Sequence, residues 1–101
     1  MKEDPMIVSV LEANVEQART EELVSQFKGS SESLPQPIVE SFLLHDAGSE
    51  MWRIVTVWES RKALDQYRAS VQTPGGVLMF QAAGAEPTLT IFEVKGHVSH
   101  T

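Results

Sequence analysis

Cysteine is absent from the 101 residues, so the chain can form no disulfide and can use no thiolate as nucleophile or metal ligand. Basic residues are also few, because 8 Lys and Arg stand against 14 Asp and Glu, giving a formal net charge of −6 at pH 7. Nucleic-acid phosphates bind clustered positive charge, so this class of partner is excluded. Long apolar runs are missing too: Met6–Leu11 is broken by Ser9, whereas a membrane helix needs about 20 apolar residues.

The length predicts a single domain spanning residues 1–101, with a core from about residue 6 to residue 95. Residues Met1–Pro5 are too acidic, and the apolar stretch after them is too short, for a signal peptide, so we expect a cytoplasmic protein. The three His and the carboxylates lack the spacing of metal ligands, and no metal site is predicted.

The stretch Met51–Trp58 predicts a β-strand that is largely apolar on both faces. Its two sets of alternate residues are Trp52, Ile54, Thr56, Trp58 and Met51, Arg53, Val55, Val57. Because alternate side chains point to opposite faces, a strand with one wet face would alternate apolar with polar residues. We therefore expect this strand to be central and covered on both sides. Trp52, near the preceding turn, is expected to be partly exposed or to lie in an interface.

The rest of the pattern predicts three further strands and two main helices. The strands are Met6–Ala13, Ile38–His45 and Thr88–Val98. Asn14 and Ser60 are suited to cap the two helices, because their side chains can accept a free helix N–H. Gly29 is expected to end the first helix, and Val77–Ala83 predicts one or two additional helical turns.

The resulting order, β-α-β-β-α-β, is that of the ferredoxin-like fold, an α+β architecture. Right-handed connections place both helices on one face of a four-stranded antiparallel sheet. The other face has no cover within the chain, and it includes Val55 and Val57. Because large apolar patches usually mark interfaces, we expect a homodimer that pairs two sheets through Val55, Val57 and their neighbours.

The segment from Ile54 to Leu64, IVTVWESRKAL, resembles the (I/V)xTxWxSxxA corner of antibiotic-biosynthesis-monooxygenase-like domains. The following Tyr67–Ser70 and Thr73–Pro74 resemble the second helix of that family and its exit. In order and spacing the similarity extends from Met6 to Val94. It implies a dimeric α/β barrel in a family of quinone-forming oxygenases, haem-degrading monooxygenases and isomerase-like proteins.

The haem-degrading branch implies an Asn on the first strand, a Trp at the end of the third and an iron-binding His after the second helix. Trp58 matches the Trp, but Ser9 and Glu12 stand where the Asn is expected, and Val71–Ala85 contains no His. We therefore expect no haem and no other cofactor. The resemblance then implies a cofactor-independent monooxygenase-like protein acting on a small aromatic or quinol-like compound, with the substrate supplying electrons to O₂.

The predicted substrate-pocket residues are Trp58, Thr56, Tyr67 and Phe80. Trp58 could stack on a flat ligand and Tyr67 could orient a ligand oxygen, although both are also suited to core packing. His45 and Tyr67 are the candidate catalytic residues. His45 is the only His inside the predicted core, and an imidazole can act as a general base, but a strand-end His beside Asp46 is also typical of a solvated turn.

Two other functions remain open. One is a non-catalytic ligand-binding or regulatory dimer, and the other is an isomerase or dehydratase that uses His45 or a carboxylate such as Glu12 or Glu40. An enclosed cavity with a His or Glu pointing at it would favour an enzyme. A closed, purely apolar space around Trp58 would favour the binding protein.

Overall fold

The structure is a computed structural model that describes residues 5–30 and 38–99. Its strands are β1 (Ile7–Asn14), β2 (Ile38–His45), β3 (Met51–Trp58) and β4 (Thr88–Glu93). Its α-helices are α1 (Thr20–Ser30), α2 (Arg61–Ser70) and α3 (Gly75–Ala82). No helix in the described ranges has both the length and the apolar character needed to cross a membrane.

The strands form one antiparallel sheet in the order β2-β3-β1-β4. The predicted ferredoxin-like α+β fold is confirmed, and β1 and β3 are its central strands. Every second residue of β3 is buried, and the residues between them are half-buried. Within the single chain the sheet stays open, with β2 and β4 at its edges, so a barrel would require a second chain.

The core lies between the sheet and the helices, in two clusters. In the larger cluster, Ile54 of β3 packs with Leu23 of α1 and Phe80 of α3. In the smaller cluster, Trp58 packs with Leu64 of α2. The helices therefore cover one face of the sheet and leave the other face uncovered.

The start of α1 differs from the prediction, because Asn14 belongs to β1 and pairs with Met51 instead of capping a helix. Val15 is only 1% exposed, and its N–H donates to the Glu50 carbonyl at 2.8 Å. This contact keeps the chain extended past Ala13. A 3₁₀ turn at residues 17–19 then leads into α1, which begins at Thr20.

The end of α1 also differs, since the helix runs through Gly29 to Ser30. The Ser30 hydroxyl donates to the Phe27 carbonyl at 2.7 Å, which satisfies one of the free acceptors of the last turn. At the other end of the chain, β4 stops at Glu93, so the residues from Val94 to Val98 are not part of the strand.

Ser60 caps α2 as predicted, because its Oγ accepts the Ala63 N–H at 3.1 Å. Ser60→Ala is expected to lower the free energy of unfolding by about 1 kcal/mol, measured by urea denaturation at fixed protein concentration. The control is Ser25→Ala, at an exposed position inside α1, where we expect almost no loss. Equal losses in the two variants would contradict a capping role for Ser60.

Candidate ligand-binding cavity

A cavity of about 470 Å³ lies between the sheet and helices α2 and α3. Residues from the strands that line it include Ser9, Leu11, Ser41, Ile54, Thr56 and Trp58. Its opposite wall contains Leu64, Tyr67 and Arg68 of α2 and residues 74–77, where α3 begins. Cavities of about 300–1,000 Å³ are typical of small-molecule sites, so this one is large enough for a compact ring system.

Two aromatic rings from opposite walls meet in this cavity. The ring centres of Trp58 and Tyr67 are 5.3 Å apart, with a tilt of 41°. Trp58 is 4% exposed, and its indole N–H donates to the Ser9 hydroxyl at 2.9 Å. This hydrogen bond fixes the plane of the indole, so a flat ligand would meet an oriented aromatic surface.

The hydroxyl groups of the cavity are available mainly as hydrogen-bond donors. Ser9 already accepts the indole N–H, and the Tyr67 hydroxyl accepts the Gly75 backbone N–H at 2.9 Å. Ser41 and Thr56 share one hydrogen bond of 2.9 Å, so whichever hydroxyl accepts keeps its own proton free. Ser9, Tyr67 and one member of the pair Ser41 and Thr56 therefore each keep a proton, so three protons remain for an acceptor atom on a ligand.

The candidate carboxylates do not reach this cavity. Glu12 and Glu40 lie on the opposite face of the sheet, where Glu12 accepts a hydrogen bond from Arg53 at 2.8 Å. No Asp, Glu or His is found among the described residues that line the cavity. Within residues 5–30 and 38–99, no three His, Asp or Glu side chains form a group that could hold a metal ion.

His45 lies outside the cavity, at the exposed end of β2. Its ring stacks on Trp52 with the centres 4.3 Å apart, and its Nε2–H donates to the Ser49 carbonyl at 2.8 Å. Trp52 was expected to be partly exposed or to lie in an interface, but it is 9% exposed because it packs in the larger core cluster beneath this imidazole. These contacts hold the His45 ring against Trp52 and the β2–β3 turn, away from the cavity.

Three of the four predicted pocket residues, Thr56, Trp58 and Tyr67, line the cavity. Phe80 does not, because it is fully buried in the larger core cluster. Ser41 and Arg68 also line the cavity, although neither was predicted to do so. Strand alternation could have identified Ser41, since it pairs with Thr56 on the same face, whereas no signal pointed to Arg68.

Gly76 allows α3 to approach the sheet closely at one side of the cavity. A Cβ atom at this position would lie 2.6 Å from Cδ1 of Leu11 and 3.8 Å from Cδ1 of Ile54. The first distance is well below an ordinary van der Waals contact. Any larger residue would therefore displace Leu11, a side chain that itself lines the cavity.

No family model matches this sequence, and no curated protein matches it. Solved structures do match along almost the whole chain. A variant of SnoaB, a cofactor-independent oxygenase from Streptomyces nogalater, superposes with a TM-score of 0.71 and 17% identity, covering 95% of this chain and 99% of that one.

Two further structures are described as putative antibiotic biosynthesis monooxygenases. The one from Deinococcus radiodurans has a TM-score of 0.69 and 12% identity, over 94% of this chain and 98% of that one. The one from Caulobacter crescentus has a TM-score of 0.69 and 16% identity, over 93% of both chains. Likeness at such low identity establishes architecture, and the chain therefore has the fold of antibiotic-biosynthesis-monooxygenase-like domains.

Proposed function

We propose that the protein binds a small aromatic or quinol-like compound in this cavity and oxidises it with O₂, without haem, metal or another cofactor. The observation that carries the proposal is the combination of an oriented aromatic wall at Trp58 with hydroxyl donors at Ser9, at Tyr67 and at one of the bonded pair Ser41 and Thr56. The fold shared with the SnoaB oxygenase is consistent with it.

The proposed chemistry depends on stabilising an electron-rich form of the substrate. A phenol or quinol that loses a proton donates electrons to O₂ more readily, and hydroxyl donors in an apolar cavity stabilise the resulting oxygen anion. One atom of O₂ enters the substrate, and the other leaves as water with two hydrogen atoms from the substrate. The substrate supplies all four electrons, so no external reductant takes part.

This activity is tested by offering hydroxylated naphthalenes in air-saturated buffer and recording O₂ uptake and product mass. We expect one O₂ consumed per product formed and one atom of ¹⁸O incorporated from ¹⁸O₂. Trp58→Leu should lower the rate, because the aromatic wall and the hydrogen bond to Ser9 are both lost. Uptake equal to that of buffer across the series would contradict the proposed oxygenation.

One observation favours a second candidate, a ligand-binding protein without catalysis. No carboxylate or imidazole lines the cavity in the described ranges, so no side chain there is an obvious general base. In the oxygenase proposal the proton must leave to water, which suits an acidic phenol. Tight binding of these compounds with no O₂ uptake would select the binding protein.

Tyr67→Phe tests the donor part of the proposal, because it keeps the ring and removes the hydroxyl, together with the hydrogen bond that this hydroxyl accepts from Gly75. We expect about five-fold weaker binding of 2-naphthol, corresponding to about 1 kcal/mol for one hydrogen bond. Naphthalene, which has no oxygen, should bind unchanged, as measured by quenching of tryptophan fluorescence. The matched control is Ser70→Ala, whose hydroxyl donates to the Tyr67 carbonyl in the last turn of α2; equal weakening there would argue against a direct role.

We further propose that the protein is a homodimer formed through the face of the sheet opposite the helices, here called the open face. Its apolar members are Val8, Val10, Phe42, Leu44, Val55, Val57 and Phe92. Phe42 is 46% exposed and Phe92 is 52% exposed in the single chain. Two such faces packed together would remove this apolar surface from water and would produce the barrel that the family resemblance implies.

A further inference from the structure

Arg68 is the one cationic side chain among the described residues that line the cavity. It directly follows Tyr67 in the last turn of α2. The residue is exposed and also lines the cavity, so its side chain lies where the cavity meets solvent. A charged group of a bound ligand that points toward this side of the cavity would face a cation.

The other arginines of the described ranges are already engaged. Arg19 pairs with Glu22, Arg53 pairs with Glu12, and Arg61 pairs with Asp65. Arg68 makes no ion pair and no side-chain hydrogen bond within residues 5–30 and 38–99. A cation suits the C-terminal end of a helix, but that preference explains neither its place in the cavity wall nor the lack of a carboxylate partner.

We propose that the natural ligand is an anionic aromatic compound whose carboxylate binds Arg68 while its ring lies against Trp58. This inference rests on the proposed function, since it concerns the same cavity. A guanidinium presents a planar pair of N–H donors that matches the two oxygens of a carboxylate.

The charge distribution supports an anionic ligand. The chain carries a net charge of −6, yet the one charged side chain among the described cavity residues is the cation Arg68. The hydroxyls of Ser9, of Tyr67 and of one of the pair Ser41 and Thr56 offer further donors. The cavity thus has donors for a ring oxygen and a cation at its mouth for a carboxylate, and no anionic side chain that would repel either.

The test compares two probes with the same ring system, 3-hydroxy-2-naphthoate and 2-naphthol, by calorimetry and fluorescence quenching. Wild-type protein should bind the carboxylate at least five-fold more tightly. Arg68→Gln should abolish this preference and leave the affinity for 2-naphthol unchanged within two-fold, whereas Arg68→Lys should retain part of it. Lys62→Gln is the control, because Lys62 is an exposed cation on α2 that does not line the cavity.

Equal affinities of the two probes for wild type, or a preference that survives Arg68→Gln, would overturn the assignment of Arg68 and leave ring binding and oxygenation standing. A preference that disappears with Arg68, in a protein that consumes no O₂, would support the inference and count against the oxygenase. Absence of binding by both probes would overturn both proposals.

Discussion

A Val55→Asp variant is expected to have the mass of one chain, 11.2 kDa, whereas the wild type is expected to have twice that mass. Val55 lies in the middle of β3, between Val10 of β1 and Phe42 of β2 on the open face. A second sheet packed there would bury the new carboxylate without a partner, at a cost of about 3–5 kcal/mol. The dimer dissociation constant should therefore rise more than about 100-fold, as measured by light scattering over a concentration series.

Val55 is a better position for this test than Val57, although both lie on the open face. Val57 is the neighbour of Glu40 on β2, so an Asp at position 57 would also repel a charge within its own chain. The control is Val98→Asp, the same exchange at a residue that is 97% exposed beyond β4. A wild type that is monomeric at tens of micromolar, or a folded Val55→Asp dimer, would show that the open face has been assigned wrongly.

The hairpin β2–β3 was predictable to the residue, and the reason is visible in the structure. Both strands are apolar, and the turn between them contains Gly48 with a φ of 86°, a backbone conformation that glycine adopts without strain. β3 is half-buried on the open face even in the single chain, because its neighbours Val10 and Phe42 partly cover it. The presence of apolar residues on both faces of β3 thus correctly indicated a central strand.

The start of α1 was not predictable in the same way, because it depends on contacts that are distant in sequence. Asn14 has the chemistry of an N-cap, but the hydrogen bond from Val15 to Glu50 keeps it in the strand. Arg19 also binds the Ala82 carbonyl at the end of α3 and Glu22 within α1. The helix therefore begins where it docks against α3, which local propensity could not show.

Alternation along β3 also explains how much of the site could be anticipated. Thr56 and Trp58 share the helix-covered face, so a cavity on that face must involve them. Phe80 was predicted to line the pocket, but in α3 its side chain is fully buried in the larger core cluster. The position of Arg68 in the cavity wall depends on how α2 is oriented over the sheet. The apolar stripe of this helix alone does not determine that orientation.

Whether the protein is an oxygenase or only a binding protein depends on whether its substrate can lose a proton without a base in the cavity. A cavity that offers donors but no base stabilises an anion once it has formed. Compounds with acidic phenols need little help from the protein to reach that state. The carboxylate that we propose for Arg68 is a separate group of the ligand, so binding at Arg68 and oxygenation are tested by separate measurements.

Gly76→Ala is expected to weaken binding of 2-naphthol by roughly 10- to 100-fold while leaving the protein folded. The added Cβ would lie 2.6 Å from Cδ1 of Leu11, so Leu11, which lines the cavity, must shift, and we expect this shift to reduce the space for a ligand. Overpacking by one carbon costs a folded core about 1–3 kcal/mol, and we expect ligand binding to lose a free energy of similar size. Gly29→Ala in α1 is the control, because no atom lies within 4 Å of a Cβ at that position.

The same contact predicts that a second substitution will reverse the effect. Leu11→Ala removes the methyl groups that the new Cβ would displace, so the double variant should bind 2-naphthol within about three-fold of Leu11→Ala alone. The two changes should then show a coupling free energy of about 1 kcal/mol or more, as expected for residues in direct contact. Additive losses would mean that Gly76 acts on the backbone of α3 and not on the volume of the cavity. Rescue, in contrast, would show that the space between position 76 and Leu11 limits the binding of 2-naphthol.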